Sequence, residues 1–589
     1  MSDVRFPPVD RATWEAQVRA ELKGRPFDRT LARVLREGIR LQPLYDEAPA
    51  TATGLGEAPW SRATRVPESG IEGIGSDAPH TAVCSTWTAH DLAARAAEWV
   101  PEARWIRLDL RAGLTWEAAS TALRSIPSDV GLIGLGDGRP LLEAARPLRL
   151  GLDPLGDAAA GWARGSVEAA FDEATEALIA CEARPEARAL SVSAEPWAAG
   201  GASTTQQLAW LLAALTETLR ACEDRGVDVA RASRQVVLRP TVGRNVFVGI
   251  ASLRALRLLW SKVLMAWGTA PPAPEVHVSL NPSVLTRLDP WVNLLRGSHG
   301  AFAALAGGAD VLEVPPFDSA LGEPEELGRR VARNTPLILT EEGHLGRVAD
   351  PAGGSYFIEH LTDTLAREAW ARFQGVEAGG GLLAAMRRDG PQHELFADAR
   401  KRANSVGHRR VPVTGVSEFA LPDEPVLQRP PVPDAPGGDI TPVPLRPDSA
   451  AFEALRARVA VLGRPTVLLA AVGPRAEWSA RASWTRNVFE AAGFAVVEGE
   501  GTGDLDPVAS SAALAPSADA ACLVGSDRRY ATHATDALRV LAAAGPAFLA
   551  GRPGDERQAW TEAGATAFVH VGCDVLGILT RLVDSLEAR

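Results

Sequence analysis

Short apolar runs alternate with longer helical patterns through most of this 589-residue chain. Between about residues 80 and 400, the apolar runs lie at 105–110, 130–136, 189–193, 275–280 and 309–314. Helical patterns in the same region lie at 203–222, 246–267 and 361–377. Apolar strands separated by helices predict a parallel sheet covered by helices. Repetition over about 300 residues favours closure into a TIM (β/α)8 barrel, with an open doubly wound sheet as the alternative.

The alternation resumes on a smaller scale near the C-terminus. Five short apolar runs lie at 466–473, 494–499, 520–525, 546–551 and 567–572, and a final helical pattern follows at 574–587. Five strands with connecting helices over about 140 residues predict a flavodoxin-like doubly wound domain. Domains of this type bind ligands at the carboxyl ends of their strands.

Two further segments divide the chain. Residues 8–23 place Trp14, Val18 and Leu22 at four-residue spacing, which predicts an amphipathic helix. Residues 421–448 contain proline at close intervals and few large apolar residues, so we expect an extended linker that buries no core. The expected organisation is a helical extension, a barrel, a linker and a flavodoxin-like domain, at 1–40, 41–420, 421–448 and 449–589.

Charge and cysteine content exclude several classes of protein. The 73 acidic and 61 basic residues give a net charge of −12, which argues against nucleic acid or an anionic membrane surface as a partner. Five cysteines, without a C-x-x-C pair, disfavour a disulfide framework or a structural zinc site. The first residues lack the apolar core of a signal peptide, and no apolar stretch is long enough to span a bilayer. We expect a cytoplasmic protein.

The densest polar cluster lies at 341–356. Glu341, Glu342, His344 and Arg347 could support general acid–base chemistry. The alternative, which we favour, is a polar connection whose Asp-Pro and Gly-Gly pairs set turns. His299, His393 and His533 show neither an i, i+4 histidine partner nor an H-E-x-x-H pattern, so we predict no metal site.

Several segments closely resemble the methylmalonyl-CoA mutase family: RNTPLILTEE at 333–342, DPAGGSYFIEHLT at 350–362, DPWVNLLR at 289–296 and GRNVF at 243–247. The resemblance extends from about residue 15 to the C-terminus. It implies a barrel threaded by the CoA chain of the substrate, followed by a flavodoxin-like cobalamin domain. It also implies adenosylcobalamin-dependent isomerisation of methylmalonyl-CoA and succinyl-CoA.

The cobalamin loop of the family differs in this chain. Active members carry Asp-x-His-x-x-Gly, in which imidazole ligates cobalt, Asp orients the imidazole and Gly lets backbone approach the cofactor. Arg475, Glu477 and Ala480 stand at these three positions. We expect Arg475 and Arg481 to neutralise Glu477, and we expect no cobalamin on this chain.

The barrel positions that handle substrate in the family also differ. Glu195 and Pro196 replace the Tyr and His of a Gly-Tyr-His segment, and proline has no N–H to donate. A family Gln and a family His fall on Leu288 and Glu313. The Tyr- and Arg-rich segment that holds pantetheine has no counterpart in 67–80.

This pattern resembles the small, non-catalytic subunit of the heterodimeric bacterial enzymes of the family. The resemblance implies that this chain has no catalytic, cofactor or metal residues of its own. It further implies a homologous large subunit that binds adenosylcobalamin and the acyl-CoA substrate. Two alternatives stay open: a stand-alone acyl-CoA enzyme or binding protein using Glu195 and Glu313, and a regulatory interaction protein on the same fold.

Overall fold

The computed structural model describes residues 9–47, 82–88, 92–99, 104–111, 113–348, 350–421, 423–425, 427–499 and 518–589. Segment 67–80, in which we found no counterpart of the pantetheine-binding segment, lies outside the described residues. The named strands form two parallel sheets and one short antiparallel pair near the N-terminus, Arg33–Val34 with Arg40–Leu41.

The first sheet is a closed barrel of eight parallel strands. They are β1 Ala82–Trp87, β2 Trp105–Asp109, β3 Gly131–Leu135, β4 Leu148–Leu152, β5 Ala187–Ser193, β6 Val236–Arg239 continued by Thr241–Val242, β7 Glu275–Leu280 and β8 Val311–Glu313. Closure occurs at β8, where Val311 is in register with His277 of β7 and with Ala82 of β1. The TIM barrel prediction is therefore confirmed, and β1, β4 and β6 add to the five predicted strands.

In the described part of the chain, fifteen α-helices precede or surround the barrel. They are α1 Arg11–Glu21, α2 Phe27–Leu31, α3 Leu92–Ala97, α4 Trp116–Ala122, α5 Pro154–Ala160, α6 Val167–Cys181, α7 Glu195–Ala199, α8 Thr204–Asp224, α9 Val229–Ser233, α10 Val246–Ala266, α11 Val292–Ala306, α12 Glu326–Leu337, α13 Tyr356–Ala378, α14 Gly381–Met386 and α15 Gly390–Gly407. The predicted N-terminal helix is present as α1. Helices α8, α10 and α13 bury Leu211, Trp260 and Leu365 in the barrel's outer core.

The second sheet has five parallel strands in the order β10-β9-β11-β12-β13. These strands are β9 Thr466–Val472, β10 Ala495–Glu498, β11 Ala520–Gly525, β12 Ala547–Ala550 and β13 Ala565–Val569. Among the residues described in this region, five α-helices accompany them: α16 Ala450–Val461, α17 Arg475–Ala491, α18 Asp527–Ala544, α19 Arg557–Glu562 and α20 Val575–Glu587. This is the strand order of flavodoxin-like domains, as predicted. It places the switch point, and hence the expected ligand crevice, between β9 and β11.

The proline-rich segment packs against the barrel, and we call its residues 427–448 the strap. The expectation that this segment buries no core is wrong, because Ile440 and Val443 are buried in the barrel's core. The N–H of Val443 donates to Ala159 O at 2.8 Å, and the N–H of Arg446 donates to Ala199 O at 2.8 Å. The last turns of α5 and α7 have carbonyl groups without helical partners, and these carbonyls hold the strap.

Three general features complete the fold. Within the described ranges, no helix is both long enough and apolar enough to cross a bilayer. The same ranges contain no group of three or more His, Cys, Asp or Glu side chains arranged to hold a metal ion. Cys84, Cys181, Cys222, Cys522 and Cys573 are all buried free thiols.

Candidate functional site

Charged side chains fill the interior of the barrel. Along β2, Ile106 and Leu108 face the surrounding helices, so alternation turns Arg107 inward. Arg107 Nη2 lies 2.6 Å from Glu313 Oε2 at the end of β8, and both side chains are mostly buried. Thr86 Oγ1 on β1 donates to Glu313 and accepts from Arg107 Nε, at 3.1 Å for the second bond. Glu313 is therefore one member of a buried ion pair.

Glu195 forms a second ion pair in the same region. It is the first residue of α7, directly after β5, and its Oε2 lies 3.2 Å from Nη2 of Arg239 on β6. Burial alone would raise the pKa of the Glu195 carboxyl. Three neighbouring guanidinium groups oppose burial and hold that pKa below its ordinary value: those of Arg107, Arg239 and Arg111. Glu195 is accordingly an ionised carboxylate and is not poised to donate a proton.

The other two barrel positions singled out in the sequence have different surroundings. Pro196 is buried at the second position of α7, where its missing N–H leaves no helical bond unmade. Leu288 packs against the apolar core of the second sheet. The structure therefore brings the carboxylates of Glu195 and Glu313 together around arginines inside the barrel. Leu288 lies instead where the barrel's domain contacts the domain of the second sheet.

Within the described ranges, little space remains along the barrel axis. Among the described side chains, residues from six of the eight strands enclose a cavity of about 20 Å³ between Arg107, Arg239 and His277. That volume holds about one water molecule. Nearer the amino ends of the strands, Arg149 Nε lies 2.5 Å from Glu275 Oε1, and the Arg149 guanidinium covers the Trp105 ring at 4.8 Å. The chain's own side chains thus fill the axis.

In the second sheet, Glu477 lies at the crevice between β9 and β11. Its Oε2 accepts hydrogen bonds from Arg529 Nε at 3.1 Å and from Ser526 Oγ at 2.9 Å. Gly473 directly follows β9 and has a φ of +92°. It allows Arg529 to approach, because a Cβ at this position would lie 2.9 Å from Arg529 Nε. These contacts hold the pKa of the Glu477 carboxyl below its ordinary value.

The prediction that Arg475 and Arg481 neutralise Glu477 was wrong. Arg475 is exposed at the start of α17, and Ala480 is exposed further along the same helix. Arg481 instead donates to Gly525 O at 2.7 Å and pairs with Asp527 at 2.9 Å. Arg481 binds the Gly525 carbonyl at the end of β11, so Glu477 pairs with Arg529 of α18.

These residues do not fit a cobalt ligand set. A carboxylate is a harder donor than imidazole, and Arg529 and Ser526 already bind the Glu477 carboxylate. Tyr530 links the ends of β11 and β12. Its hydroxyl accepts from Gly525 N and donates to Ala550 O, each at 2.8 Å. Sequence reasoning missed Arg529 and Tyr530 because they lie about fifty residues beyond the loop.

The polar segment 341–356 divides into an exposed part and a buried part. Glu341, Glu342, His344 and Arg347 are exposed on the surface and do not assemble into a site. Residues 350–362 are held by a buried arginine. Arg254 of α10 is fully buried and pairs with Asp350 and, at 2.8 Å, with Glu359. The segment 350–362 thus fixes the start of α13 on α10, which agrees with its interpretation as a structural connection.

Comparison with known proteins separates two kinds of relative. A sequence profile described as methylmalonyl-CoA mutase matches residues 158–435. A Streptomyces virginiae protein named methylmalonyl-CoA mutase small subunit is 36% identical over 99% of this chain and 97% of its own length. A protein of the same name from Propionibacterium freudenreichii subsp. shermanii is 31% identical over 92% of this chain and 88% of its own.

An Escherichia coli (strain K12) protein named methylmalonyl-CoA mutase is also 31% identical, but over 41% of this chain and 34% of its own length. Similarity to the proteins named small subunits therefore extends through both the barrel and the second sheet. The chain belongs to the methylmalonyl-CoA mutase family, among the members that are called small subunits.

Proposed function

We propose that this chain is the non-catalytic small subunit of a cytoplasmic, heterodimeric methylmalonyl-CoA mutase, an isomerase that interconverts methylmalonyl-CoA and succinyl-CoA. In this proposal a homologous large subunit binds adenosylcobalamin and the acyl-CoA substrate. The small subunit stabilises the large subunit and binds neither cofactor nor substrate itself. The isolated chain is therefore inactive.

The filled barrel axis carries this proposal. The resemblance implies that the CoA chain of the substrate threads the barrel in active members. In this chain the Arg107–Glu313 and Arg239–Glu195 pairs occupy that space, and a cavity of about 20 Å³ remains. A space that holds about one water molecule cannot admit pantetheine.

The second sheet supports the same conclusion independently. Nitrogen-ligated cobalt requires a free imidazole at the crevice, whereas Glu477 there is bound by Arg529 and Ser526. The name small subunit, carried by relatives that match along most of their length, adds the expectation of a large-subunit partner.

The stand-alone acyl-CoA enzyme is not favoured by the geometry. General acid–base catalysis needs an accessible carboxyl whose pKa lies near the working pH. Glu313 is paired with Arg107, and the arginines around Glu195 lower the pKa of its carboxyl. Both carboxylates are therefore engaged in ion pairs inside the barrel.

The test is mutase turnover by this chain alone, by its large subunit alone and by the complex. We expect turnover only where the large subunit is present. As a matched variant, Glu195→Gln in the complex should leave kcat and KM for methylmalonyl-CoA within about twofold of the unsubstituted complex, because the substituted residue touches no substrate. Turnover by the isolated chain, abolished by Glu195→Gln, would instead establish the stand-alone enzyme.

The regulatory alternative predicts a different genomic and biochemical outcome. A small subunit should be encoded beside a homologue that has an intact Asp-x-His-x-x-Gly loop, and the two products should copurify. A regulatory protein that has left the enzyme would copurify with no such homologue.

A further inference from the structure

A cavity of about 200 Å³ lies between the carboxyl face of the barrel, the strap and residues 9–47, which we call the N-terminal arm. Its walls come from the ends of β6 and β7, from the starts of α8 and α10, and from Arg36, Arg402 and Asp448. We call it the strap cavity. It shares no lining residue with the small void on the barrel axis.

Arginines dominate the charge of the strap cavity. Asp448 is bound on both oxygens by Arg402, at 2.8 Å from Nε and 2.5 Å from Nη2. Arg244 Nη2 shares one of these oxygens at 3.3 Å. Arg36 is a third cation, at the rim, and one of its nitrogens donates to the carbonyl of Gly201.

The second carboxylate of the lining is also engaged. Glu37 Oε1 accepts the N–H of Thr204 at 3.2 Å, in the first turn of α8. The lining therefore contains three arginines against two carboxylates, both of which already have partners. Burial lowers the pKa of Arg244, Asp448 opposes that shift, and Arg402 and Arg36 add to it. A bound anion would relieve this repulsion.

The backbone around the cavity is suited to negative charge as well. The N-cap residues of α8 and α10, Ser203 and Asn245, both line it. Each helix is 21 residues long, so each directs the positive end of a long helix dipole toward the cavity. The arginines and the two helix starts thus act on the same space.

We propose that the strap cavity binds a compact oxyanion, either inorganic phosphate or a short dicarboxylate, through Arg244 and Arg36. Its size sets the upper limit of the ligand. Sites for drug-sized molecules occupy roughly 300–1,000 Å³, so the cavity excludes an intact acyl-CoA. Because Arg36 precedes the barrel and Arg244 lies between β6 and α10, a bound anion joins segments that are distant in sequence.

The experiment is calorimetric titration of the full-length chain with sodium phosphate and, separately, with sodium succinate, at constant ionic strength maintained with chloride. We expect saturable one-to-one binding in at least one arm. Arg244→Gln should weaken that binding at least tenfold. The matched control is Arg124→Gln, which removes an exposed arginine elsewhere on the barrel and should bind as the unsubstituted chain does.

A second variant separates binding from folding. Arg36→Gln leaves the Arg402–Asp448 pair intact and removes only the exposed hydrogen bond to Gly201, so its Tm in chloride should stay close to that of the unsubstituted chain while its anion affinity falls. Saturation by phosphate alone assigns a phosphate site, and saturation by succinate alone assigns a carboxylate site. Absence of binding in both arms overturns the proposal, as does binding that neither arginine variant weakens more than Arg124→Gln does.

Discussion

Arg107 Nη2 lies 2.6 Å from Glu313 Oε2 inside the barrel, with both side chains less than 15% exposed. The two residues lie on β2 and β8, on either side of β1, and Thr86 of β1 hydrogen-bonds to both. Buried ion pairs contribute little net stability, but removal of one partner leaves an uncompensated charge. The pair therefore closes the barrel without being its main source of stability.

This relationship predicts a strongly non-additive double-mutant cycle. Arg107→Met alone should lower the free energy of unfolding by about 3–5 kcal/mol, because Glu313 is left buried and unpaired. Arg107→Met combined with Glu313→Leu should cost less than either single substitution. Urea unfolding of the four proteins measures the coupling, and a double variant equal to the sum of the singles would contradict the pairing.

The second pair predicts a dependence of stability on acid. Because the folded state holds the pKa of Glu195 below its unfolded value, the carboxylate stabilises the fold above the unfolded value of about 4.3. That stabilisation disappears as the pH falls through the lower, folded value. Tm should therefore fall more steeply below about pH 5 in the unsubstituted chain than in Glu195→Gln. Parallel curves for the two proteins would show that Glu195 does not titrate as proposed.

Arg254 should be far more important for stability than a surface arginine. Arg254→Met leaves Asp350 and Glu359 buried without their cation and should cost about 3–5 kcal/mol. Arg367→Met is the control, because Arg367 is 67% exposed and pairs with Asp363 on the same helix. Its effect should stay below about 1 kcal/mol. Equal losses in chemical denaturation would show that segment 350–362 is not anchored through Arg254.

Restoring a histidine to the second sheet should not restore cofactor binding. In Glu477→His, Arg481 is still bound to the Gly525 carbonyl beside the crevice, and Arg529, which has lost its carboxylate partner, leaves an uncompensated guanidinium next to the imidazole. Titration with adenosylcobalamin, followed by absorbance, should show the spectrum of free cofactor in Glu477→His and in the control Glu477→Gln. A spectral change confined to the histidine variant would mean that the crevice is open.

Sequence periodicity was sufficient for the fold class of both sheets, although the barrel strands β1, β4 and β6 were not among the predicted runs. Apolar runs such as 130–136 and 520–525 became β3 and β11 because strands buried on both faces need continuous apolar residues. The prediction that the proline-rich strap buries no core was wrong, because Ile440 and Val443 enter the core although prolines surround them. Composition does not show which helix ends offer free carbonyls to such a segment.

The site was only partly predictable for a related reason. Glu195, Glu313 and Glu477 could be identified from motif positions, but their partners could not. Arg107 lies inside an apolar run, and closure of the barrel brings it to Glu313. Arg529 lies about fifty residues beyond Glu477, and the strand order of the second sheet brings these two residues together. Inward-facing arginine within a strand pattern is the signal that would have indicated a filled barrel.

The ratio of cobalamin to protein in the purified complex tests the central claim most directly. A heterodimer of this chain and its large subunit should contain one adenosylcobalamin per two chains, and the isolated small subunit should contain none. Two cofactors per heterodimer, or stoichiometric cofactor on the isolated chain, would contradict a non-catalytic small subunit with a filled barrel and a closed crevice.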